Sequence, residues 1–154
     1  MLYSGAHRTR QTAAVMGAAL GLWIDPVVEG RFHFQPVIDE LYPDDPGAVL
    51  RELKDVRKAG GNVAVAATMS EYARRSGERL LAGILGVADQ HPAGADILVI
   101  SHSPYAECAT MLIAEAAKNC PYGLGESDAV VYAVEGGVVL NAQYIPAPLE
   151  GATN

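Results

Sequence analysis

A chain of 154 residues is long enough for one domain with a sizeable core and too short for two. Half of its residues are apolar and 19% are charged, the balance of a globular protein, and its apolar runs are too short and too often broken to span a bilayer. A formal net charge of −7 argues against general affinity for nucleic acid or an anionic membrane, so any anion must be held by a local cationic site.

Leu2 and Tyr3 read as the end of a short strand. From Arg8 to about Leu20, the positions Thr12, Val15, Met16, Ala19 and Leu20 recur at helical spacing, which predicts an amphipathic helix stopped by Gly21. WIDPVVEG, Trp23 to Gly30, reads as extended, with Pro26 confining it to a sheet edge. RFHFQPVIDELYPDDPG is rich in proline and acid and reads as a loop, with Asp39, Glu40, Asp44 and Asp45 as a solvated acidic stretch. Pro46 then opens a short helix through about Lys58. AGGNVAVAATM, Ala59 to Met69, reads equally as loop or strand.

Ser70 is a good N-cap for a helix carrying Ala73, Gly77, Leu80, Leu81, Ile84, Leu85 and Ala88 on one core-facing stripe. His91-Pro92-Ala93-Gly94 ends it, and ADILVIS, Ala95 to Ser101, reads as a strand buried on both faces. Pro104 starts a further helix with Tyr105, Cys108, Ala109, Leu112, Ile113 and Ala116 on its buried side. After the loop CPYGLGESD, AVVYAVEGGVVLNAQYI reads as a hairpin around Glu135-Gly136-Gly137, and the tail from Pro146 reads as loose. The order β-α-(β)-α-(β)-α-β-α-β-β predicts a single domain over 1–154, three-layer α/β/α with a mostly parallel sheet.

Chemistry concentrates where strands give way to helices. His102 stands at the carboxyl end of a buried strand, and Pro104 fixes the first turn of the following helix. Ligands of open α/β sheets bind beyond the carboxyl ends of strands, and a helix start adds free N–H groups such as that of Ser103. The same position suits a structural histidine equally well. Arg8 stands in a helical first turn, where the macrodipole disfavours cations unless an anion sits between them, and a guanidinium grips phosphate in a bidentate fork. The plainer reading of Arg8 and Arg10 is solvated surface. Glu71 in the first turn after Ser70 is ordinary dipole complementarity, and becomes a candidate proton donor only beside an anion site. His33 reads as a surface or loop histidine. Cys108 and Cys120 make no disulfide framework and read as a small buried hydrophobe and a loop thiol; no Cys-x-x-Cys or His/Cys cluster suggests a metal. Met1-Leu-Tyr-Ser carries no basic and long apolar signal segment, which makes a cytoplasmic location the expectation.

Together these patches resemble the histidine phosphatase superfamily, which includes the cofactor-dependent phosphoglycerate mutases. Ser4-Gly5-Ala6-His7-Arg8-Thr9-Arg10-Gln11-Thr12-Ala13 is similar to that family's Ser-x-x-x-Arg-Ala-x-Gln-Thr-Ala segment, and Leu98-Val99-Ile100-Ser101-His102 to its second histidine motif, with Ser103-Pro104 where glycine is usual. Gly125-Glu126-Ser127-Asp128-Ala129-Val130-Val131 resembles the loop and strand that follow. The resemblance implies a phosphoglycerate mutase-like fold and phosphoryl transfer through a phosphohistidine, with no cofactor or metal. Arg8, His102 and the Ser103 N–H would bind phosphate, and Glu71, at about the usual distance upstream, would be the acid.

One departure is large. The family's nucleophile lies in an Arg-His-Gly or Arg-His-Ala motif on a first strand, and none of His7, His33, His91 and His102 sits in such a motif. The resemblance therefore implies a fold short of its first strand, which belongs inside the parallel sheet near the strand bearing the second histidine. The expected partners are a phosphorylated small molecule or phosphate and, through an exposed sheet edge, a second copy of the chain. The alternative function is a non-catalytic phospho-ligand binding or interaction module; a further alternative is an α/β domain whose ligand is not phosphate.

Overall fold

The protein is seen in a computed structural model that describes residues 1–22, 27–58, 69–101, 105–113, 120, 124 and 128–147. Its elements run β1 (Leu2–Tyr3), α1 (His7–Ala19), β2 (Val27–Val28), a 3₁₀ turn (Gly30–Phe32), α2 (Gln35–Leu41), α3 (Ala48–Lys58), α4 (Glu71–Asp89), β3 (Val99–Ile100), α5 (Tyr105–Met111), β4 (Ala129–Glu135) and β5 (Val138–Ile145). This is a mixed α/β chain with a small parallel sheet of order β2-β1-β3 and a separate antiparallel hairpin, β4-β5.

β1 lies in the middle of the parallel sheet. Leu2 pairs with Val27 on one side and Val99 on the other; Tyr3 pairs with Val28 and Ile100. A gap beside the strand leading to His102 is expected from the family resemblance, but β1 itself pairs there, with Leu2 N–H donating to Leu98 O at 2.9 Å and Ser4 N–H to Ile100 O at 3.1 Å. The predicted strand ADILVIS contracts to Val99–Ile100, because β1 offers only two residues for it to pair with and Ala95 N–H turns back to Pro92 O. Alternate side chains leave opposite faces of a strand. Tyr3 and Ile100 gather around Ala13 of α1, whereas Leu2 and Val99 pack with Phe32, Leu80, Val87 and Ala109.

The first helix forms where periodicity predicts it, but it turns a different face inward. Thr9, Ala13 and Gly17 are its buried residues, and Val15, Met16 and Leu20 are exposed. Small side chains at a spacing of four let α1 lie close on the strands; a Cβ on Gly17 would come within 3.1 Å of the Met1 side chain. Gly21, at φ 68°, closes the helix in a Schellman motif: its N–H bonds Ala18 O at 3.1 Å, and the Leu22 N–H reaches Gly17 O at 2.8 Å.

The segment read as an acidic loop holds the 3₁₀ turn and α2 instead. Pro36 in the first turn of α2 costs no hydrogen bond, and Val37 and Ile38 bury against Val49 and Tyr72. Asp39 and Glu40 thus lie on a helix, and Glu40 pairs with Arg75 of α4. Asp45 pairs with Arg51 at the start of α3.

Helix α4 forms with its predicted serine cap, and of the predicted stripe Ala73, Gly77 and Leu80 are buried while Leu81, Ile84, Leu85 and Ala88 are half-buried. The Ser70 hydroxyl accepts from Ala73 N–H at 3.1 Å, and Tyr72, Ala73, Gly77, Leu80 and Val87 are buried. Gly77 permits backbone contact with α5, since a Cβ there would lie 2.5 Å from Cys108 O. Helix α5 is shorter than expected among the described residues, Leu112 and Ile113 N–H closing back on Ala109 and Thr110 O. Ala116, Pro104 and the ambiguous residues 59–68 lie outside the described residues. Cys120, read as a loop thiol, is buried with Val56, Ala73, Cys108 and Met111. The hairpin turns at Gly136 (φ 57°) and Gly137 (φ 75°), two adjacent left-handed residues that match a type I′ turn. The tail is held at its start, where Ala147 N–H donates to Asp128 Oδ1 at 2.7 Å. Among the described residues no helix is long and apolar enough to cross a membrane.

Candidate functional site

The carboxyl ends of three adjacent parallel strands define one edge of the molecule. β1 exits at Ser4, β3 at Ser101 and β2 at Glu29, tied together by Ser4 N–H to Ile100 O and by Glu29 N–H to Tyr3 O at 3.0 Å. At this edge the chain turns through Gly5, whose φ of 82° suits glycine, into α1. Ser4 is fully buried, its hydroxyl 3.3 Å from that of Thr9, which in turn donates to Ala6 O at 2.8 Å. These bonds fix the angle at which α1 leaves the strand.

The N-terminus of α1 is chemically unusual. Its N-cap is Ala6, which supplies no side-chain oxygen, and no acid stands in its first turn. Two arginines stand there instead. Arg31, Arg51, Arg74 and Arg75 each pair with a carboxylate, and Arg79 donates to His33 and Gly30 O; Arg8 and Arg10 are exposed, and among the described residues they make no side-chain hydrogen bond or ion pair. A positive dipole end with no side-chain cap and two exposed guanidinium groups attracts an anion.

His102 and Ser103 lie outside the described residues, as do residues 125–127 of the loop that resembles the family. Their chain neighbour Ser101 follows Ile100, which is directly in register with Tyr3, so the backbone brings Ser4, four residues before Arg8, and Ser101 to one sheet edge. Glu71 stands elsewhere. It opens α4, where its half-exposed carboxylate accepts from Arg74 at 2.6 Å and lies 3.7 Å from Arg75 Nε. Arg75 continues to Glu40 of α2, so Glu71 belongs to a charged lattice between α2 and α4. No hydrogen bond or ion pair joins it to Arg8 among the described residues.

Compared with known proteins, the chain matches no family model, no curated protein and no solved structure.

Glu29, at the same edge as Ser4, is a residue that no sequence motif singles out. Arg31 grips its carboxylate at 2.8 Å and 2.6 Å and donates its own N–H at 3.0 Å; these bonds hold the carboxyl down to about 2 despite partial burial. Its trace in the sequence is an acid-x-arginine step directly after the β-branched pair Val27-Val28. Glu107 is another such residue. It is fully buried in α5 and accepts from Leu124 N–H at 2.7 Å, and nothing in local sequence separates it from a surface glutamate. Burial pushes the Cys120 thiol up to about 11, which disfavours its thiolate and leaves it a packing residue. Among the described residues no group of acids, histidines and cysteines is arranged to hold a metal.

Proposed function

We propose that this chain is a histidine phosphatase-like domain that binds a phosphorylated small molecule at the carboxyl edge of its parallel sheet. The observation that carries the reading is the Arg8 side chain, exposed and without a partner among the described residues, at the uncapped start of the helix that follows β1, the strand paired with β3. In this reading Arg8 clamps the phosphoryl oxygens in a bidentate fork, and the His102 ring with the Ser103 N–H neutralises the remaining charge. The packing of α1 against Tyr3 and Ile100, and of α4 and α5 against Leu2 and Val99, supports a three-layer, phosphoglycerate mutase-like arrangement.

Turnover through a phosphohistidine also needs an attacking imidazole and an acid for the leaving oxygen. The 154 residues contain no Arg-His-Gly or Arg-His-Ala segment, and the Glu71 carboxylate is engaged by Arg74. These two observations favour a second reading, a phospho-ligand binding module without catalysis. Two measurements separate the readings. Inorganic phosphate and an aryl phosphate should each raise the melting temperature of the chain, and Arg8→Ala should abolish the rise. Hydrolysis of the aryl phosphate that disappears in His102→Ala identifies the enzyme; stabilisation without hydrolysis identifies the module. A melting temperature indifferent to phosphate in the unaltered chain rejects both.

A further inference from the structure

A cleft of about 230 Å³ opens between α2 and α4, lined by Pro36, Val37 and Glu40 from one helix and Arg75, Glu78 and Arg79 from the other. Positions 75, 78 and 79 are spaced i, i+3 and i+4 and so share one face of α4, and positions 36 and 40 stand one turn apart on α2.

Arg79 differs from the other arginines of α4. Arg74 pairs with Glu71 and Glu78, and Arg75 pairs with Glu40. Arg79 has no carboxylate partner among the described residues; its Nε donates to His33 O at 2.9 Å and its Nη2 to Gly30 O at 3.1 Å. A guanidinium holds five N–H donors in one rigid plane, and Nε shares an edge of that plane with Nη2. Two backbone carbonyls therefore anchor this edge. The other edge, made by Nη1 and the second Nη2 proton, has no acceptor among the described residues. An arginine fixed in this way offers a two-point fork to an oxyanion with its side chain already ordered.

Two acids flank the fork. Glu40 meets Arg75 and Glu78 meets Arg74, each through Oε1, and Oε2 of each accepts no hydrogen bond among the described residues. Glu40, Glu71 and Glu78 balance Arg74, Arg75 and Arg79, so the lattice around the cleft is neutral. A plain anion at Arg79 would lie against two carboxylates in a chain at −7. A ligand that brings an ammonium for the acids as well as a carboxylate for the arginine keeps the balance. The cleft is smaller than the roughly 300–1,000 Å³ of sites for drug-sized ligands, and Pro36 and Val37 give it an apolar wall.

We propose that this cleft binds a small zwitterion, a free α-amino acid with an aliphatic side chain. Its carboxylate lies on the Nη1–Nη2 edge of Arg79, its ammonium meets Oε2 of Glu78 and Glu40, and its side chain rests on Pro36 and Val37. Arg8 takes no part, so the site stands or falls separately from phosphate binding.

Titration of the full chain with L-leucine tests the proposal, read by melting temperature and by amide resonances. L-leucine should raise the melting temperature and shift the resonances of residues 36–40 and 75–79 to saturation. Isocaproate lacks the ammonium and isoamylamine lacks the carboxylate; each should bind at least about tenfold more weakly. Arg79→Gln should weaken L-leucine by a similar factor. That variant also loses two bonds to the 3₁₀ turn, so Glu78→Gln, which leaves the Arg79 anchors intact, provides a test independent of its folding. Glu78→Gln should weaken L-leucine without weakening isocaproate, and Arg8→Ala should bind L-leucine as the parent does. An unaltered chain indifferent to L-leucine at tens of millimolar, isocaproate binding as tightly as L-leucine, or a Glu78→Gln variant that binds L-leucine like the parent would each overturn the proposal.

Discussion

Arg31 holds Glu29 by three hydrogen bonds, and the pair closes the end of β2 against α4, where Arg31 also reaches Gln90 Oε1 at 3.2 Å. A carboxyl held at about 2 in the folded chain, against 4.5 for an ordinary glutamate, binds a proton more readily when unfolded. Its stabilising effect is therefore complete above pH 4.5 and is lost as the pH falls toward 2. Glu29→Gln should cost about 1–2 kcal/mol at neutral pH, less than the full shift implies because the Arg31 side chain is partly solvated. The difference between variant and parent should shrink to nothing by the acid end of that window. Urea unfolding at several pH values measures it, and a difference that stays constant with pH would assign the loss to packing rather than to the ion pair.

At the scale of elements, α4 and α5 approach backbone to backbone at Gly77. A methyl group there would meet Cys108 O at 2.5 Å and Cys108 C at 2.8 Å, both backbone atoms that cannot swing aside. Gly77→Ala should therefore destabilise the chain by about 2–4 kcal/mol although alanine is the better helix former. Gly94→Ala, with no atom within 4 Å of the added methyl but a φ of 81°, should cost about 1 kcal/mol from backbone strain alone. Thermal melts of the two variants separate close packing from strain. Helix α4 and the hairpin were legible because local signals agreed: a serine cap and an apolar stripe in one, paired glycines between β-branched runs in the other. Helix α1 was legible as a helix but not in its orientation. Hydrophobicity pointed to Val15 and Leu20, whereas close approach to a two-residue strand selected Thr9, Ala13 and Gly17. Helix α2 was hidden because proline and acid dominate its sequence while Val37 and Ile38, which decide its burial, are only two residues. At the candidate site, the convergence of the Arg8 and Ser101 segments followed from strand-helix punctuation, but the engagement of Glu71 by Arg74 and Arg75 depends on tertiary placement that spacing does not encode.

Across the whole molecule, the helices share their work unevenly. α4 contributes Ala73, Leu80, Val87 and Tyr72 to three separate core clusters, binding α2, α3, α5 and one face of the sheet. Among the described residues α1 contributes Ala13 to a fourth cluster whose other buried members are Tyr3 and Ile100. A helix so lightly anchored, with its larger side chains in water, opens locally before the rest unfolds. Native-state hydrogen exchange should show α1 amides opening at a free energy at least about 2 kcal/mol below that of α4, and with weaker dependence on denaturant. Equal values for the two helices would mean that the molecule opens as one unit. The difference bears on the proposed site, because Arg8 rides on the helix that opens first. A phosphate held there adds its binding free energy to the closed state of α1 and leaves α4 unchanged until the two stabilities meet. Phosphate should therefore slow exchange in residues 9–20 selectively, with no such slowing in Arg8→Ala, and an equal slowing of α4 at low phosphate would place the anion elsewhere.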